Sequence, residues 1–167
     1  SLLSRIERRY GVPPEIVVTI WGMESTFGQL SGKMSIIRSL STLAYDCRRS
    51  EFFTNELYAA LRIIERGDMS PARMVGGWAG EIGQTQFLAS SYVKYAVDFD
   101  GDGRRDLIRS IPDVLASTAN FLQRHGWRRG EFWGPGTHNF AVLKQWNRAS
   151  VYQRTIAKAA AVLAGRG

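Results

Sequence analysis

The sequence predicts a mainly α-helical chain folded as one domain over residues 1–167. Three observations carry this. Apolar residues recur at spacings of three and four along most of the chain, the period of a helix with one buried face. Proline, serine and glycine stand at the ends of those segments, where helices start and stop. Alternating polar and apolar runs are missing, apart from a short candidate strand at Phe140-Ala141-Val142-Leu143. A length of 167 residues suits one domain with a real core, and 44% hydrophobic residues exclude a chain disordered by composition.

In order, Leu2 to Tyr10 is a short amphipathic helix. Pro13 to Phe27 follows, with proline at its first positions and Glu15 in its first turn. Ile36 to Cys47, rich in leucine and serine, comes next. Ser50 caps a longer helix whose Phe53, Leu57, Leu61 and Ile64 form a core stripe, ended by Gly67. Ser70-Pro71 opens a short helical turn. Between Gly76 and Phe87 stand four glycines and two glutamines among aromatic residues. Such glycine density implies backbone packed close to another helix or to a ligand. Ser90 caps a helix running to about Val97. Ile111 to His125 is another, closed by Gly126. A loop with Gly130, Gly134, Pro135 and Gly136 separates it from the last helix, Ser150 to Ala164. No internal repeat or low-complexity tract interrupts the series.

The net charge is +7. A basic surface fits a polyanionic partner: nucleic acid, anionic lipid or a carboxylate-bearing cell-wall polymer. It is also common with no partner at all. Nucleic-acid binding would gather the arginines and lysines on one face or recognition helix, and here they are scattered. Cys47 is the single cysteine, so zinc spacing and an internal disulfide are excluded. His125 and His138 lack metal-ligand spacing and read as surface or capping residues. No apolar run is long enough to span a membrane. Ser1 to Arg5 reads as the start of a helix and not as a signal peptide, which says nothing of a removed leader.

The most informative stretch is Trp21-Gly22-Met23-Glu24-Ser25-Thr26-Phe27-Gly28. Counting in threes and fours, Val17, Ile20, Trp21 and Glu24 share one helix face. A carboxyl group on an inward face is costly to ionise, so its pKa should rise. A carboxylic acid still protonated near neutral pH is what general acid catalysis requires. The alternative is an edge position in which Glu24 pairs with an arginine.

The second signal is Asp98-Phe99-Asp100-Gly101-Asp102-Gly103-Arg104-Arg105-Asp106. Aspartates fall at positions 1, 3, 5 and 9 of an EF-hand-type loop over residues 98–109, with glycine at position 6 and Arg104 at the backbone-carbonyl position 7. Calcium needs several oxygens converging on one point, which alternate aspartates around a glycine turn provide. Two positions depart. Arg105 replaces the usual apolar residue at position 8, and Arg109 stands where a bidentate glutamate should be. Asp113, one helical turn on, is the candidate replacement. The reading without metal is an Asp-Gly turn capping the next helix. A weak structural calcium site is expected, and a sensor is not, because the motif is single.

Together these segments resemble the lytic murein transglycosylase B family, which cleaves bacterial peptidoglycan. Trp21 to Gly28 is similar to its catalytic-glutamate motif, and Thr42-Leu43-Ala44-Tyr45-Asp46-Cys47-Arg48-Arg49 to its next block. Gly80-Glu81-Ile82-Gly83-Gln84-Thr85-Gln86-Phe87 with Ser90-Ser91-Tyr92 resembles its groove signature. The Asp98 loop matches a calcium-type loop at the same point, and Trp146-Asn147-Arg148 with Tyr152 matches the C-terminal block. Five blocks in order make the resemblance strong. It implies a lysozyme-like fold of the goose-type lysozyme and lytic transglycosylase kind. It also implies an acid/base role for Glu24, and substrate contacts by Gln86, Asn147 and Tyr152. A periplasmic monomer acting on glycan strands follows, with cell-wall synthesis or envelope machinery as candidate further partners. No cofactor is expected for the chemistry. The sequence departs from the family at Gly77, where a groove serine often stands, and in the short segment from Gly126 to Phe140, where longer members carry an accessory subdomain.

The implied reaction starts with protonation of the MurNAc–GlcNAc glycosidic oxygen by Glu24. The muramic C6 hydroxyl then closes on the anomeric carbon, and the ionised glutamate takes its proton, so one acid/base suffices. Tyr45, Trp78 and Tyr152 can stack on sugar faces or belong to the core. Gln86 and Asn147 can bind acetamido groups or satisfy buried backbone. One rival is a muramidase-type hydrolase, if Glu81 or Asp46 faces Glu24. The other is a non-catalytic cell-wall-binding module.

Overall fold

The computed structural model describes residues 1–46 and 48–166. Among them run eight α-helices: α1 (Leu2–Tyr10), α2 (Pro14–Ser25), α3 (Ile36–Tyr45), α4 (Ser50–Glu65), α5 (Ala89–Tyr95), α6 (Ile111–Arg124), α7 (His138–Trp146) and α8 (Ser150–Leu163). Two short strands, β1 (Met34–Ser35) and β2 (Val75–Gly76), pair antiparallel with Met34 opposite Gly76. A 3-10 turn spans Pro71–Arg73. No described helix is long and apolar enough to cross a membrane.

Local chemistry accounts for most helix ends. The Ser1 side chain accepts from the Ser4 N–H to start α1, and Gly11, at φ 73°, ends it in the left-handed conformation. Pro13 and Pro14 open α2, where fixed φ angles suit a first turn. Ser110 caps α6 by accepting from the Asp113 N–H. The middle of α6 is buried on several sides, through Val114, Leu115, Ala116, Ala119 and Leu122, and it contacts α1, α2, α5 and α7. Around it α2 lies against α8, α3 against α4, and α4 against α5. Ile16 and Ile20 of α2 are fully buried in the same core as Ile63, Tyr92 and Leu107. Each such side chain contributes about 1.5–3 kcal/mol. That anchors one face of α2 and leaves Glu24, in its last turn, half-buried beside the exposed Met23.

Four sequence expectations need correction. Phe140 to Leu143 is helical, inside α7, because Thr137 caps that helix by accepting from the Phe140 N–H at 3.2 Å. Of the α4 stripe, Phe53, Leu57 and Ile64 pack half-buried against the core as expected but Leu61 is exposed, and the buried positions of the helix are Glu56, Ala59, Ala60 and Ile63. Ser50 does not cap α4; its hydroxyl donates to the Ala44 carbonyl at 2.6 Å and ties α4 to α3. Ser90 does not cap α5 either. Its N–H and hydroxyl donate to the buried Glu56 carboxylate, so α4 supplies the acceptor that α5 lacks locally. The expected end of α3 at Cys47 lies outside the described residues.

Candidate active-site groove

The last turn of α2 carries Glu24, and the chain then leaves the helix under strain. Thr26, Phe27 and Gly28 all have positive φ, at 51°, 56° and 87°. Left-handed non-glycine residues cost about 1–3 kcal/mol each and persist where the surroundings hold them. Here the Gly28 N–H donates to Ser25 Oγ at 2.8 Å, and Trp21 packs edge-on against Phe27 with ring centroids 5.4 Å apart. Trp21 is held in turn. Its indole N–H donates to Gln84 Oε1 at 2.8 Å, and the Gln84 amide donates to the Ile108 carbonyl at 2.8 Å. The Gln84 backbone N–H donates to Leu107 O at 2.9 Å. One buried glutamine thus joins α2 to the glycine-rich segment and to the exit of the aspartate loop.

Glu24 reaches the surface of a groove of about 480 Å³ lined also by Glu81, Gln86, Ser91, Phe121, Trp146, Asn147 and Arg148. Its Oε1 accepts from the Trp146 indole N–H at 3.1 Å and from the Tyr152 hydroxyl. No described residue forms a hydrogen bond to Oε2. Burial raises the Glu24 pKa, the hydrogen bonds from Tyr152 and Trp146 work against that rise, and the Glu81 charge adds to it. Burial and the neighbouring Glu24 raise the Tyr152 pKa, so its hydroxyl stays a donor.

The raised Glu24 pKa has a sign for stability as well. The neutral form is favoured in the fold, so its contribution is complete below the ordinary value of 4.5 and is lost as pH rises through the folded value. Glu24→Gln should therefore unfold at a higher temperature than the parent at pH 7. The two midpoints should converge near pH 4 in a thermal melt series.

The other sequence-selected residues distribute unevenly. Gln86, at φ 56°, donates its amide N–H groups to Ser31 O at 3.1 Å and Gly83 O at 2.8 Å. It satisfies backbone and lines the groove at once. Asn147 closes α7; its Oδ1 accepts from Ala149 N at 2.9 Å and its carbonyl accepts from the Gln153 amide. Tyr152 touches Glu24 itself. Tyr45 does not line this groove and is 93% exposed. Trp78, 69% exposed, lines a separate hollow with Leu43, Arg48, Arg49 and Phe53. Asp46 lies there too, paired with Arg48 at 2.8 Å, which holds its pKa at about 2. Of the two carboxylates considered as partners for Glu24, only Glu81 shares its groove. The donor role of Trp146 toward Glu24 and the linking role of Gln84 were not read from the sequence, since neither has a local periodic signal.

The aspartate loop divides. Asp98, Asp100 and Asp113 each present an oxygen, all within 4.8 Å of one another. Oxygens on one calcium at about 2.3–2.6 Å each fall within such a spread, so these three fit a shared ion. The carboxylates of Asp102 and Asp106 do not join that cluster. The Asp102 carboxylate accepts from Arg104 N at 2.8 Å. Asp106 accepts from Ile108 N and Arg109 N, and pairs with Arg73 at 3.3 Å. Arg105 explains its own unusual position: its backbone and guanidinium donate to the buried Asp68, at 3.1 and 3.3 Å, pinning the loop to the end of α4.

With this geometry in place, comparison with known proteins is informative. A family model described as "Transglycosylase SLT domain" matches residues 1–136. The chain is 42% identical over 130 residues to membrane-bound lytic murein transglycosylase B of Escherichia coli (strain K12), covering 77% of this chain and 36% of that protein. Among solved structures it is similar to SltB3 from Pseudomonas aeruginosa in complex with NAG-anhNAM-pentapeptide. There the TM-score is 0.93 at 34% identity, over 98% of this chain and 60% of that one. It is also similar to Slt35 of Escherichia coli in complex with calcium, at TM-score 0.87 and 28% identity, over 99% of this chain and 70% of that one. The chain thus spans little more than a third of the curated relative.

Proposed function

Since this chain belongs to the transglycosylase SLT domain family and shares the lysozyme-like fold of its solved relatives, we propose that it is a peptidoglycan lytic transglycosylase with Glu24 as its acid and base. The observation that carries the reading is the environment of that carboxyl group. Two donors, Trp146 and Tyr152, occupy one oxygen, and burial favours the protonated form, in a groove bordered by Gln86 and Asn147. The proton is then best carried on Oε2, the oxygen without a protein donor.

In the proposed reaction Glu24 gives that proton to the glycosidic oxygen as the C1–O bond breaks. The muramic C6 oxygen forms the new bond to C1, and its proton returns to Glu24, so no water is consumed. Tyr152 and Trp146 stabilise the carboxylate between the two transfers, since hydrogen bonds to an ionised acceptor are the stronger kind. Gln86 and Asn147 are the proposed contacts to acetamido groups, and Tyr152 acts on Glu24 more directly than on sugar. Tyr45 keeps at most a role distant from the reacting bond. The NAG-anhNAM-pentapeptide bound to SltB3 supports an anhydro product, because that relative is similar over nearly all of this chain.

Hydrolysis remains the second reading, because Glu81 shares the groove. Mass analysis of products from purified peptidoglycan separates the readings. Anhydro-muramyl ends are expected; reducing ends would favour the hydrolase, and no product the binding module. The setting proposed is periplasmic, with the described residues forming one catalytic domain.

We also propose a structural calcium ion held by Asp98, Asp100 and Asp113, supported by their convergent oxygens and by the calcium complex of Slt35. Calcium would lock this loop and take no part in the proton transfers. Millimolar calcium should raise the thermal midpoint of the chelated protein, because a ligand of the folded state stabilises it by mass action. Asp98→Ala should abolish the rise. A midpoint indifferent to calcium in the parent would favour the metal-free turn.

A further inference from the structure

The space above Gly77 is occupied by an acid. A Cβ atom built on Gly77 would collide with Glu81 Oε2 and would lie 3.1 Å from Gln86 Oε1. The two oxygens therefore flank one point at the groove wall. Glu81 is fixed there by the Ala79 N–H, which donates to its Oε2 at 3.2 Å. Gln86 has both amide hydrogens committed, to Ser31 and Gly83, so its Oε1 is left as an acceptor. The place a side chain at Gly77 would fill thus holds a carboxylate.

The geometry points to Glu81 as a substrate-binding residue that, with Gln86 Oε1, accepts hydrogen bonds from a hydroxyl or acetamido N–H of the glycan strand. This rests on the proposed glycan substrate and adds to it a second working carboxylate. A pair of acceptors suits a polyhydroxyl ligand, which brings donors, and bonds to an ionised acceptor are stronger than neutral ones. Glu81 also acts on Glu24 at a distance, since its negative charge disfavours a second one in the same groove. The groups that face Glu24 are Trp146 from α7, Tyr152 from α8 and Glu81 from the glycine-rich segment, while Arg148 lines the groove beyond α7. Of the charged groups named, only Glu81 is anionic.

The test compares pH profiles of kcat and KM on solubilised peptidoglycan strands for the parent, Glu81→Gln and Glu81→Ala. Thermal melts check that each variant is folded. Glu81→Ala should raise KM by about 10- to 100-fold, the size of a lost hydrogen bond to a charged group. Glu81→Gln keeps a neutral acceptor oxygen and should raise KM less than Glu81→Ala does, by about 3- to 10-fold. Its basic limb in kcat should move to lower pH, because Glu24 then ionises more easily. That limb reads the Glu81 charge whether or not Glu81 touches sugar, so KM in Glu81→Ala decides the contact. Unchanged KM in folded Glu81→Ala would overturn the assignment while the parent still cleaves. Failure of the parent to cleave would instead overturn the glycan reading beneath it.

Discussion

Glu24→Gln is expected to lower turnover on purified peptidoglycan by at least about 10²–10⁴-fold, the contribution of a positioned acid/base group. The upper end is favoured because one group serves both proton transfers. Glutamine keeps the shape and still accepts from Tyr152 and Trp146 at one oxygen, so the groove should survive. Binding to sacculi should persist, and the loss should fall on kcat and not on KM. Near-parental release of soluble fragments by this variant would remove Glu24 from the mechanism. A turbidity assay on sacculi, paired with a pull-down, reads both quantities.

Asp113→Ala is expected to have the largest effect on stability. The residue is fully buried, and its carboxylate accepts from Phe99 N at 2.7 Å, Asp100 N at 3.4 Å and Asp106 N at 2.8 Å. Burial raises its pKa and these bonds oppose the rise. Alanine would leave two half-buried donors, Phe99 N and Asp106 N, without an acceptor beside a new void, while the N–H of exposed Asp100 can turn to water. At about 1–3 kcal/mol per unsatisfied buried group, some of it recovered by relaxation, the loss should be about 3–5 kcal/mol. For a chain of this size that lowers the thermal midpoint by roughly 6–20 °C. The melt should be run in chelator, so that loss of an ion does not enter. Asp102→Ala, which removes one exposed acceptor, should change the midpoint by less than about 1 kcal/mol equivalent. Equal effects of the two substitutions would contradict the role given to Asp113.

The helical framework was legible because helix periodicity and end residues are local. Val17, Ile20 and Trp21 announced the inward face that carries Glu24, and Pro13 and Pro14 its start. The aspartate spacing was equally local, and it led to Asp98, Asp100 and Asp113. What failed depended on contacts distant in sequence. Phe140 to Leu143 reads as a strand until Thr137 is seen to cap a helix there. The β1–β2 pairing spans two residues on each side, too few for any alternation to show. Trp146 lies 122 residues from Glu24 and Gln84 lies 63 from Trp21, so no window of sequence reveals either hydrogen bond. Asp102 and Asp106 matched the loop pattern, yet only Asp98, Asp100 and Asp113 bring carboxylate oxygens within 4.8 Å of one another. Spacing places residues along a chain but does not orient their side chains. The Arg105 departure had its cause in Asp68, 37 residues away on the bend after α4. Glu81 was visible as a carboxylate in a glycine-dense segment, but its place above Gly77 required the folded turn.

The central claim, that the muramic C6 hydroxyl and not water completes the reaction, is tested most directly by digesting purified peptidoglycan in ¹⁸O-water. The hydroxyl prevails only through proximity, an effect that reaches about 10⁵ M or more in effective molarity against abundant solvent. The account predicts muramic acid ends that carry no ¹⁸O and are lighter by one water than hydrolysed ends. Reducing ends dominated by ¹⁸O at the new anomeric carbon would contradict it, and would make the enzyme a hydrolase that still uses Glu24 as its acid.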